Sequence, residues 1–254
     1  QSKNIKTSLV TNGYATEENF SRLRMLKLHV VSVSIDGYRQ KHDIVRGKPG
    51  SYERCLNSLK LYRKMGVRTR QVATVVLEEN INDIQLMIKD AFAAGCTRYR
   101  LQLLIPEGRA RNKKLPFDLV KKALYTINKE RRKGRNVFAA DNFGYLGPDE
   151  SKLRPYNFFC GCGWWTFTIM ENGDIMGCPL TDYPELSEGN IRNKDLKEIW
   201  RDGFQRFRDK SLVSLPDICQ KCEYISICRG ACWAQRVNTD RFCFLKLAKE
   251  IKLG

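Results

Sequence analysis

The chain has 254 residues, of which 42% are hydrophobic and 29% are charged, and its formal net charge at pH 7 is +17. A chain of this length can bury a core without disulfides as supports. Its first seven residues lack the basic start and apolar run of a signal peptide, and no stretch approaches the roughly 18 apolar residues of a membrane span. We therefore expect a cytoplasmic protein without a membrane partner.

Runs rich in β-forming residues alternate with helical patterns in the first part of the chain. Ser51 is predicted to cap one helix, and Asn82 is predicted to start another that ends before Gly95. Strands separated by helices indicate a parallel sheet with right-handed crossovers, and therefore an α/β fold of the doubly wound or barrel class. The four predicted strands cover residues 5–10, 30–35, 67–77 and 100–105.

Positive charge is concentrated in residues 98–135, which hold 13 Lys/Arg and three Asp/Glu. Such a stretch can attract an acidic peptide or nucleic acid, although a solvated helix face is the plainer interpretation. An irregular segment with Gly144, Gly147 and Pro148 follows it. Glycine and proline clusters are typical of boundaries. We predict domains at residues 1–141 and 156–254, joined by a linker at 142–155.

Eight of the ten cysteines lie between residues 160 and 243. Soft thiolate ligands in one stretch indicate a metal site. Disulfides are less favoured, because they belong mainly to secreted proteins and to chains too small for a sufficient core. Two four-thiolate zinc sites and two four-iron clusters both fit eight thiolates, so the spacing alone leaves both open. Cys55 and Cys96 lie apart from this stretch and are predicted to be plain buried thiols.

A β-hairpin is predicted between the first of these cysteines. Residues 164–170 are rich in β-forming residues, Asn172-Gly173 is a two-residue turn signal, and residues 174–178 form the returning strand. Cys160 and Cys178 are therefore expected near the outer ends of one hairpin.

The full cysteine pattern resembles the seven-cysteine signature of SPASM domains. These are the C-terminal extensions of radical S-adenosylmethionine (SAM) enzymes that modify peptides and proteins. Residues 188–192 and 196–200 also resemble the linker helix of that family. The pattern reads Cys160-x12-Gly173-x4-Cys178, a gap, Cys219-x2-Cys222-x5-Cys228-x3-Cys232, a second gap and Cys243.

The resemblance implies two auxiliary 4Fe-4S clusters. It assigns the first cluster to Cys160, Cys178 and Cys232. Cys162 is extra to the signature: it is either the fourth ligand of that first cluster, which we favour, or a bystander if that cluster is open to substrate. The second cluster is assigned to Cys219, Cys222, Cys228 and Cys243.

Residues of the first half resemble the C-terminal half of a radical SAM partial barrel. They are Thr11-Asn-Gly13, the run 32–37 with His42-Asp43 and Arg46-Gly47 following, and Pro106-Glu-Gly-Arg109-Ala110. Each follows a predicted strand, and chemistry in parallel barrels gathers at the carboxyl ends of strands. The resemblance implies four SAM-binding candidates: Asn12, Ser34, Asp36 and Arg46.

One element of the family pattern is missing. The SAM-binding cluster needs Cys-x3-Cys-x2-Cys, but only Cys55 and Cys96 precede Cys160, and the glycine-rich SAM motif is not seen. We therefore expect the C-terminal portion of a larger enzyme: half of a partial (β/α) barrel followed by a cysteine-rich α+β SPASM domain. SAM and a third 4Fe-4S cluster would belong to the complete enzyme, with the missing N-terminal half of the barrel as a partner. The chain alone is not expected to cleave SAM.

The resemblance implies an enzyme that modifies a peptide or protein side chain. Its auxiliary clusters would accept electrons or bind substrate, with flavodoxin or ferredoxin as reductant and an acidic leader peptide as a further partner. Sulfatase-maturing members place an aspartate base after the second signature cysteine, whereas Pro179 follows Cys178 here. This difference favours cross-linking, or another modification of a ribosomally made peptide, over formylglycine formation.

Two other functional classes fit the sequence. A two-cluster electron-transfer or scaffold protein without SAM chemistry fits the missing triplet. A zinc-bearing nucleic-acid module would place residues 98–135 on phosphates and stack Trp164, Trp165 and Trp233 on bases. Nucleic acid is the less favoured partner, because such aromatic residues more often belong to the core.

Overall fold

The computed structural model of the protein describes residues 5–180, 183–208, 215–239 and 243–251. Its larger sheet consists of parallel strands in the order β1-β2-β3-β4-β5. The first four strands confirm the sequence prediction. The fifth was missed because it is only three residues long and follows a highly charged helix. The strands are β1 (Thr7–Thr11), β2 (Leu28–Ser34), β3 (Thr69–Val76), β4 (Arg98–Leu103) and β5 (Val137–Ala139).

Helices connect these strands and continue through the second half of the chain. In the first half they are α1 (Phe20–Met25), α2 (Gln40–Arg46), α3 (Ser51–Lys64), α4 (Ile84–Ala93) and α5 (Phe117–Arg132). In the second half they are α6 (Leu196–Asp202), α7 (Gln205–Arg208), α8 (Asp217–Gln220), α9 (Ile225–Cys228), α10 (Trp233–Asn238) and α11 (Leu245–Glu250). Short 3-10 turns lie at Gly108–Ala110, Asp141–Phe143, Pro148–Lys152 and Pro184–Leu186.

The two faces of the larger sheet differ in polarity, because successive side chains of a strand point to opposite sides. One face carries apolar residues such as Val33, Val72 and Leu101, which join the main core with residues of α3, α4 and α5. The opposite face is polar. Ser32, Gln71 and Arg98 stand side by side there, and Gln71 Nε2 donates to Ser32 Oγ at 2.9 Å.

The start of α3 differs from the sequence prediction. Ser51 was expected to cap this helix, and this is wrong: Gly50 occupies the N-cap position, with a φ of 75° that favours glycine. The carboxylate of Asp43 satisfies the first helical groups instead. It accepts hydrogen bonds from the backbone N–H of Gly50 at 2.6 Å and of Tyr52 at 2.9 Å, and from Ser51 Oγ at 2.9 Å.

A smaller antiparallel sheet lies in the second half, in the order β6 (Thr168–Ile169), β7 (Asp174–Met176) and β8 (Ser187–Asn190). The predicted hairpin through Asn172-Gly173 is confirmed, with shorter strands than expected. Residues 161–166 form a tight turn rather than a strand, because the N–H of Gly163 donates to the carbonyl of Thr166 at 2.9 Å. Residues 196–200, whose sequence resembles a linker helix, lie within α6.

Residues 142–155, the predicted linker, pack against the larger sheet. The Asn142 side chain makes two hydrogen bonds with the backbone of Leu103, of 3.1 and 2.7 Å. Arg154 is fully buried and pairs with Glu150, whose carboxylate also accepts from the N–H of Phe158 at 2.8 Å. This segment is therefore part of the packed body, while the division into domains stays a prediction.

The end of the chain returns to the main core. Phe244, Leu247 and Ala248 are buried with the residues of α3, α4 and α5, and Lys121 of α5 pairs with Glu250 at 2.5 Å. Residues on both sides of the cysteine-rich stretch thus share one hydrophobic core. Of the helices in the described part of the chain, none combines the length and apolar character needed to cross a membrane.

We predict that replacing Asp43 with alanine destabilises the protein by about 1 kcal/mol, the usual cost of losing a helix cap. The reason is that three donors at the start of α3 lose their acceptor. Urea unfolding followed by circular dichroism would measure the change. Asp149→Ala serves as the control, since Asp149 pairs with Lys152 at the surface. Equal midpoints for the two variants would contradict the capping role.

Candidate metal centre

The eight clustered cysteines are arranged in two groups. The first cysteine group consists of Cys160, Cys162, Cys178 and Cys232. Cys178 and Cys232 are buried together with Ala234, and Cys162 and Trp233 pack against them. The Cys162 thiol hydrogen-bonds to both Cys160 and Cys178. The structure therefore brings the extra cysteine, Cys162, among the residues assigned by the family signature.

The hydrogen bonds within the first group make its thiols differ in acidity. The hydrogen bond with Cys162 lowers the pKa of Cys160, and the alternative hydrogen bond with Cys178 lowers the pKa of Cys178. The same hydrogen bonds raise the pKa of Cys162. Burial raises the pKa of Cys232 to about 12. Since the Cys162 thiol has a single proton, it favours the thiolate of one neighbour at a time, and the thiolate is the form that binds metal.

The second cysteine group consists of Cys219, Cys222, Cys228 and Cys243. Cys219 is buried with Ala231, and Cys228 and Cys243 pack against this pair. Burial raises the pKa of the Cys219 thiol, and the negative charges of the other three thiolates raise it further. All four sulfurs therefore interact electrostatically with one another.

Residues 229–231 follow Cys228 with positive φ angles: 52° at Arg229, 81° at Gly230 and 63° at Ala231. The N–H of Ala231 donates to Cys228 Sγ at 3.2 Å, and backbone hydrogen bonds from Ala231 and Gly230 oppose the increase in the pKa of Cys228 that burial causes. Successive backbone N–H groups in such turns form concave sites for anions, including iron-sulfur clusters. Two non-glycine residues in this conformation are strained, as is common at functional sites.

A cavity of about 350 Å³ borders both groups. Cys160 and Cys162 of the first group and Cys228 of the second line it. Its remaining wall is mostly aromatic and basic. That wall includes Phe159, Trp164, Phe207, Trp233, Arg206, Arg208, Arg229 and Arg236.

The donor set fits iron-sulfur clusters. Among the described residues, no three His, Cys, Asp or Glu side chains close around a point as ligands of a single metal ion do. Each thiolate of a four-iron cluster binds a different iron, so the ligands of a cluster are spread more widely than those of one ion. Two groups of four thiols, with the N–H of Ala231 donating to Cys228 Sγ, supply the number and type of ligands that two such clusters need.

The first group lies at the carboxyl end of β4. Gln235 of α10 donates from Nε2 to the carbonyl of Leu104 at 3.0 Å, and Asn238 donates to Glu107 Oε1 at 2.9 Å. Ile105 packs against the first cysteine group itself. Because active sites of parallel barrels lie at this edge of the sheet, the group adjoins the expected reaction space.

The four SAM candidates lie near the carboxyl ends of β1 and β2. Asp36 is buried and pairs with Arg46, while its second oxygen accepts from the N–H of Val75 at 2.9 Å. The Asn12 side chain accepts from the N–H of Tyr14 at 3.1 Å. The backbone carbonyls of Asn12 and Ser34 both accept from one thiol, at 3.0 and 3.6 Å respectively. The structure thus brings the four residues together. The Arg109 side chain lies outside the described part.

The thiol that links Asn12 and Ser34 belongs to Cys55. Its sulfur also contacts His42 Nε2 at 3.6 Å, and His42 Nδ1 accepts from the N–H of Asp36 at 3.0 Å. Burial raises the pKa of Cys55 to about 12 and lowers the pKa of His42 to about 4. Cys55 is therefore buried, as expected. Its contact with the SAM candidates was missed, since only the return of α2 and α3 onto the sheet creates it.

Four of the 13 basic residues in 98–135 form ion pairs with described residues. Lys113 pairs with Glu79 at 2.7 Å, and Lys133 and Arg135 both pair with the buried Glu130. Trp164 donates to the carbonyl of Phe207 at 2.9 Å, and the Trp233 ring lies 4.6 Å from the ring of Phe207. These contacts pack Trp164 and Trp233 around the cysteine groups, whereas Trp165, the third aromatic residue of the nucleic-acid alternative, is exposed.

We predict that His42 makes the protein less stable as the pH falls. Folding holds its imidazole neutral down to about pH 4, whereas the unfolded state takes up a proton near pH 6.5. The contribution of His42 to the free energy of unfolding is complete above pH 6.5. It should therefore fall by about 2 kcal/mol between pH 7 and pH 5. Urea unfolding at both pH values would measure it. His42→Gln should reduce this loss, whereas His29→Gln, on an exposed side chain, should not. The same pH dependence in both variants would refute the role of His42.

Two family models match the chain. The model of the Radical SAM superfamily matches residues 1–91, and the model of the SPASM iron-sulfur cluster-binding domain matches residues 160–223. Together they include three of the five strands of the larger sheet, the hairpin, and five of the eight clustered cysteines.

Curated relatives resemble the chain over most of its length. The AdoMet-dependent heme synthase of Nitratidesulfovibrio vulgaris is 27% identical over 258 residues, which cover 93% of this chain and 68% of the relative. The antilisterial bacteriocin subtilosin biosynthesis protein AlbA of Bacillus subtilis is 25% identical over 250 residues, covering 93% of this chain and 52% of AlbA. The chain thus spans about two thirds of one relative and half of the other.

A solved structure supports the fold. Native anSMEcpe with bound AdoMet and Kp18Cys peptide matches 98% of this chain and 73% of its own chain, with a TM-score of 0.70 and 18% sequence identity. The two chains therefore share the same overall fold over this length. With its two family models, its sheet and its cysteine groups taken together, the chain belongs to the radical SAM/SPASM family of enzymes.

Proposed function

We propose that the chain carries the two auxiliary 4Fe-4S clusters of a cytoplasmic radical SAM enzyme that modifies a peptide or protein side chain. The observation that carries the proposal is the pair of four-thiol groups, of which the first lies at the carboxyl end of β4. The solved relative that holds both AdoMet and a peptide supports this class of substrate.

In this proposal the first cysteine group holds one cluster and the second cysteine group holds the other. The clusters would supply sites for single electrons beside the substrate. The residues of the chain bind and shield them: Trp233 and Phe207 exclude water, and the N–H groups of residues 230–231 face Cys228. Hydrogen bonds to cluster sulfurs and exclusion of solvent set reduction potentials.

SAM would lie over the ends of β1 and β2, beside Asn12, Ser34, Asp36 and Arg46. Because Arg46 and the N–H of Val75 occupy both oxygens of Asp36, this carboxylate positions the strand ends rather than touching SAM. No Cys-x3-Cys-x2-Cys run precedes Cys160 in these 254 residues. We therefore propose that the SAM-cleaving cluster, and the reducing flavodoxin or ferredoxin, come from outside this sequence.

The exact side-chain modification, such as a cross-link, stays open within this proposal. A net charge of +17 suits an acidic leader peptide. Lys113 and Lys121 are partly neutralised by Glu79 and Glu250, so they would contribute less than their number suggests.

Heme synthesis is the second candidate, because the AdoMet-dependent heme synthase shares 27% identity with the chain. On the polar face of the larger sheet, Arg98 and Arg100 each have a buried Nε with no hydrogen-bond partner among the described residues. A guanidinium Nε without a partner can donate to a carboxylate, and both a porphyrin and an acidic peptide carry carboxylates.

We predict that anaerobically reconstituted protein binds close to eight irons and eight sulfides, since two 4Fe-4S clusters require that number. Cys222→Ala should remove about half of the iron and destabilise the second cysteine group, because ligation contributes to folding. Cys96→Ala is the control, because Cys96 is also buried but lies far from both groups in the sequence. Iron, sulfide and zinc analysis would measure the outcome. Two zinc ions without sulfide would reject the cluster proposal.

We predict that heme added to the reconstituted protein causes no saturable change in its Soret band at micromolar concentrations. The reason is that a peptide substrate requires no porphyrin pocket. If heme does bind, Arg100→Gln should show whether the polar face is involved. Arg68→Gln, on an exposed side chain, is the matched control. Saturable binding that Arg100→Gln weakens and Arg68→Gln leaves unchanged would favour the heme candidate instead.

A further inference from the structure

Arg236 lies between the two cysteine groups. It is on α10, one turn after Cys232 of the first group, and its N–H donates to the Cys232 carbonyl at 3.0 Å. Its guanidinium lies over the Trp233 ring, 5.1 Å from the centroid, and lines the cavity that Cys160 and Cys228 share. The backbone of Arg236 is therefore attached to the first cysteine group through Cys232.

The guanidinium of Arg236 is fixed on the second group. Its Nη1 donates to the carbonyls of Arg229 at 3.2 Å and Gly230 at 3.0 Å, which form the left-handed turn after Cys228. A Cβ at Gly230 would lie only 2.3 Å from this Nη1, so the turn packs directly against the side chain. One residue thus connects the helix of the first group to the turn of the second.

The positive charge of Arg236 acts on both groups. Burial lowers its pKa, and the negative thiolates of Cys160, Cys219, Cys232 and Cys228 oppose this effect. Cys160 and Cys232 belong to the first cysteine group, and Cys219 and Cys228 belong to the second. An arginine stays charged in proteins, so the charge is permanent. Other arginines of the cavity are held differently: Arg208 lies over the Trp200 ring at 4.5 Å and donates to the carbonyl of Gly163 at 2.7 Å.

We propose that Arg236 is a positioning residue that raises the reduction potentials of both auxiliary clusters together. The inference rests on the proposed cluster ligation. When a cluster takes up one electron, its net charge becomes more negative by one. A fixed positive charge beside it stabilises this reduced form more than the oxidised form. Because one guanidinium serves both groups, its removal should affect both potentials.

The test compares Arg236→Gln, Arg236→Lys and Arg206→Gln with the parent protein. Arg206 lines the same cavity, but its guanidinium reaches the carbonyl of Glu185 at 3.4 Å and serves as the control. Each reconstituted protein is analysed for iron and sulfide, and then titrated anaerobically with detection by electron paramagnetic resonance. Arg236→Gln should make both reduction equilibria about tenfold less favourable, equivalent to ~59 mV per one-electron couple. Arg236→Lys, which keeps the charge, should recover most of this loss, and Arg206→Gln should change little.

The outcomes separate the two proposals. A parent protein without clusters would reject the proposed function. Eight irons in every variant with unchanged potentials, or a change confined to one cluster, would reject the role of Arg236 and leave the proposed function standing. If Arg236→Gln loads poorly, Arg236→Met, whose side chain still covers the Trp233 ring, replaces it. Failure of both neutral variants to load, with full loading of Arg236→Lys, would assign Arg236 to cluster assembly and overturn the proposal.

Discussion

The hydrogen bond from Gln235 to the carbonyl of Leu104 fixes the relation between the sheet and the cysteine-rich half. Gln235 is fully buried, so its amide has no water to replace this partner, and losing the acceptor would be costly. Cys232 lies one turn earlier on the same face of α10, where it meets Ile105 just after β4. Arg236 follows next along the helix and faces the cavity. Fixing one buried helix thereby places a thiolate, an aromatic ring and a positive charge at the carboxyl end of the sheet.

Much of the fold could be predicted from local patterns. β1 to β4 and the hairpin at Asn172-Gly173 have clear periodicity or turn chemistry, and both are confirmed. β5 could not be found, because three residues are too few to show a period. The cap of α3 was assigned to Ser51 by its type and position. Asp43 supplies the cap instead, from eight residues earlier, and only the tertiary turn at Gly50 makes that possible.

The candidate site was predictable in its residues but not in its geometry. The resemblance to the SPASM signature assigned the cysteines to two groups, and the structure arranges the same thiols in two groups with Cys162 inside the first. The positive φ at Arg229 and Ala231 leaves no mark in the sequence, because neither is glycine. The contacts of Cys55 with Asn12, Ser34 and His42 join segments up to 43 residues apart. Composition and spacing carry no information on such contacts.

Cys243 is followed directly by Phe244, whose side chain is buried in the main core. Under the proposed ligation, Cys243 would attach the start of the last described helix, α11, to the second cluster, while Glu250 near its end pairs with Lys121 of α5. Without iron, that helix would lose one of its two attachments, and the apolar surface beneath it would become accessible to chaperones and proteases.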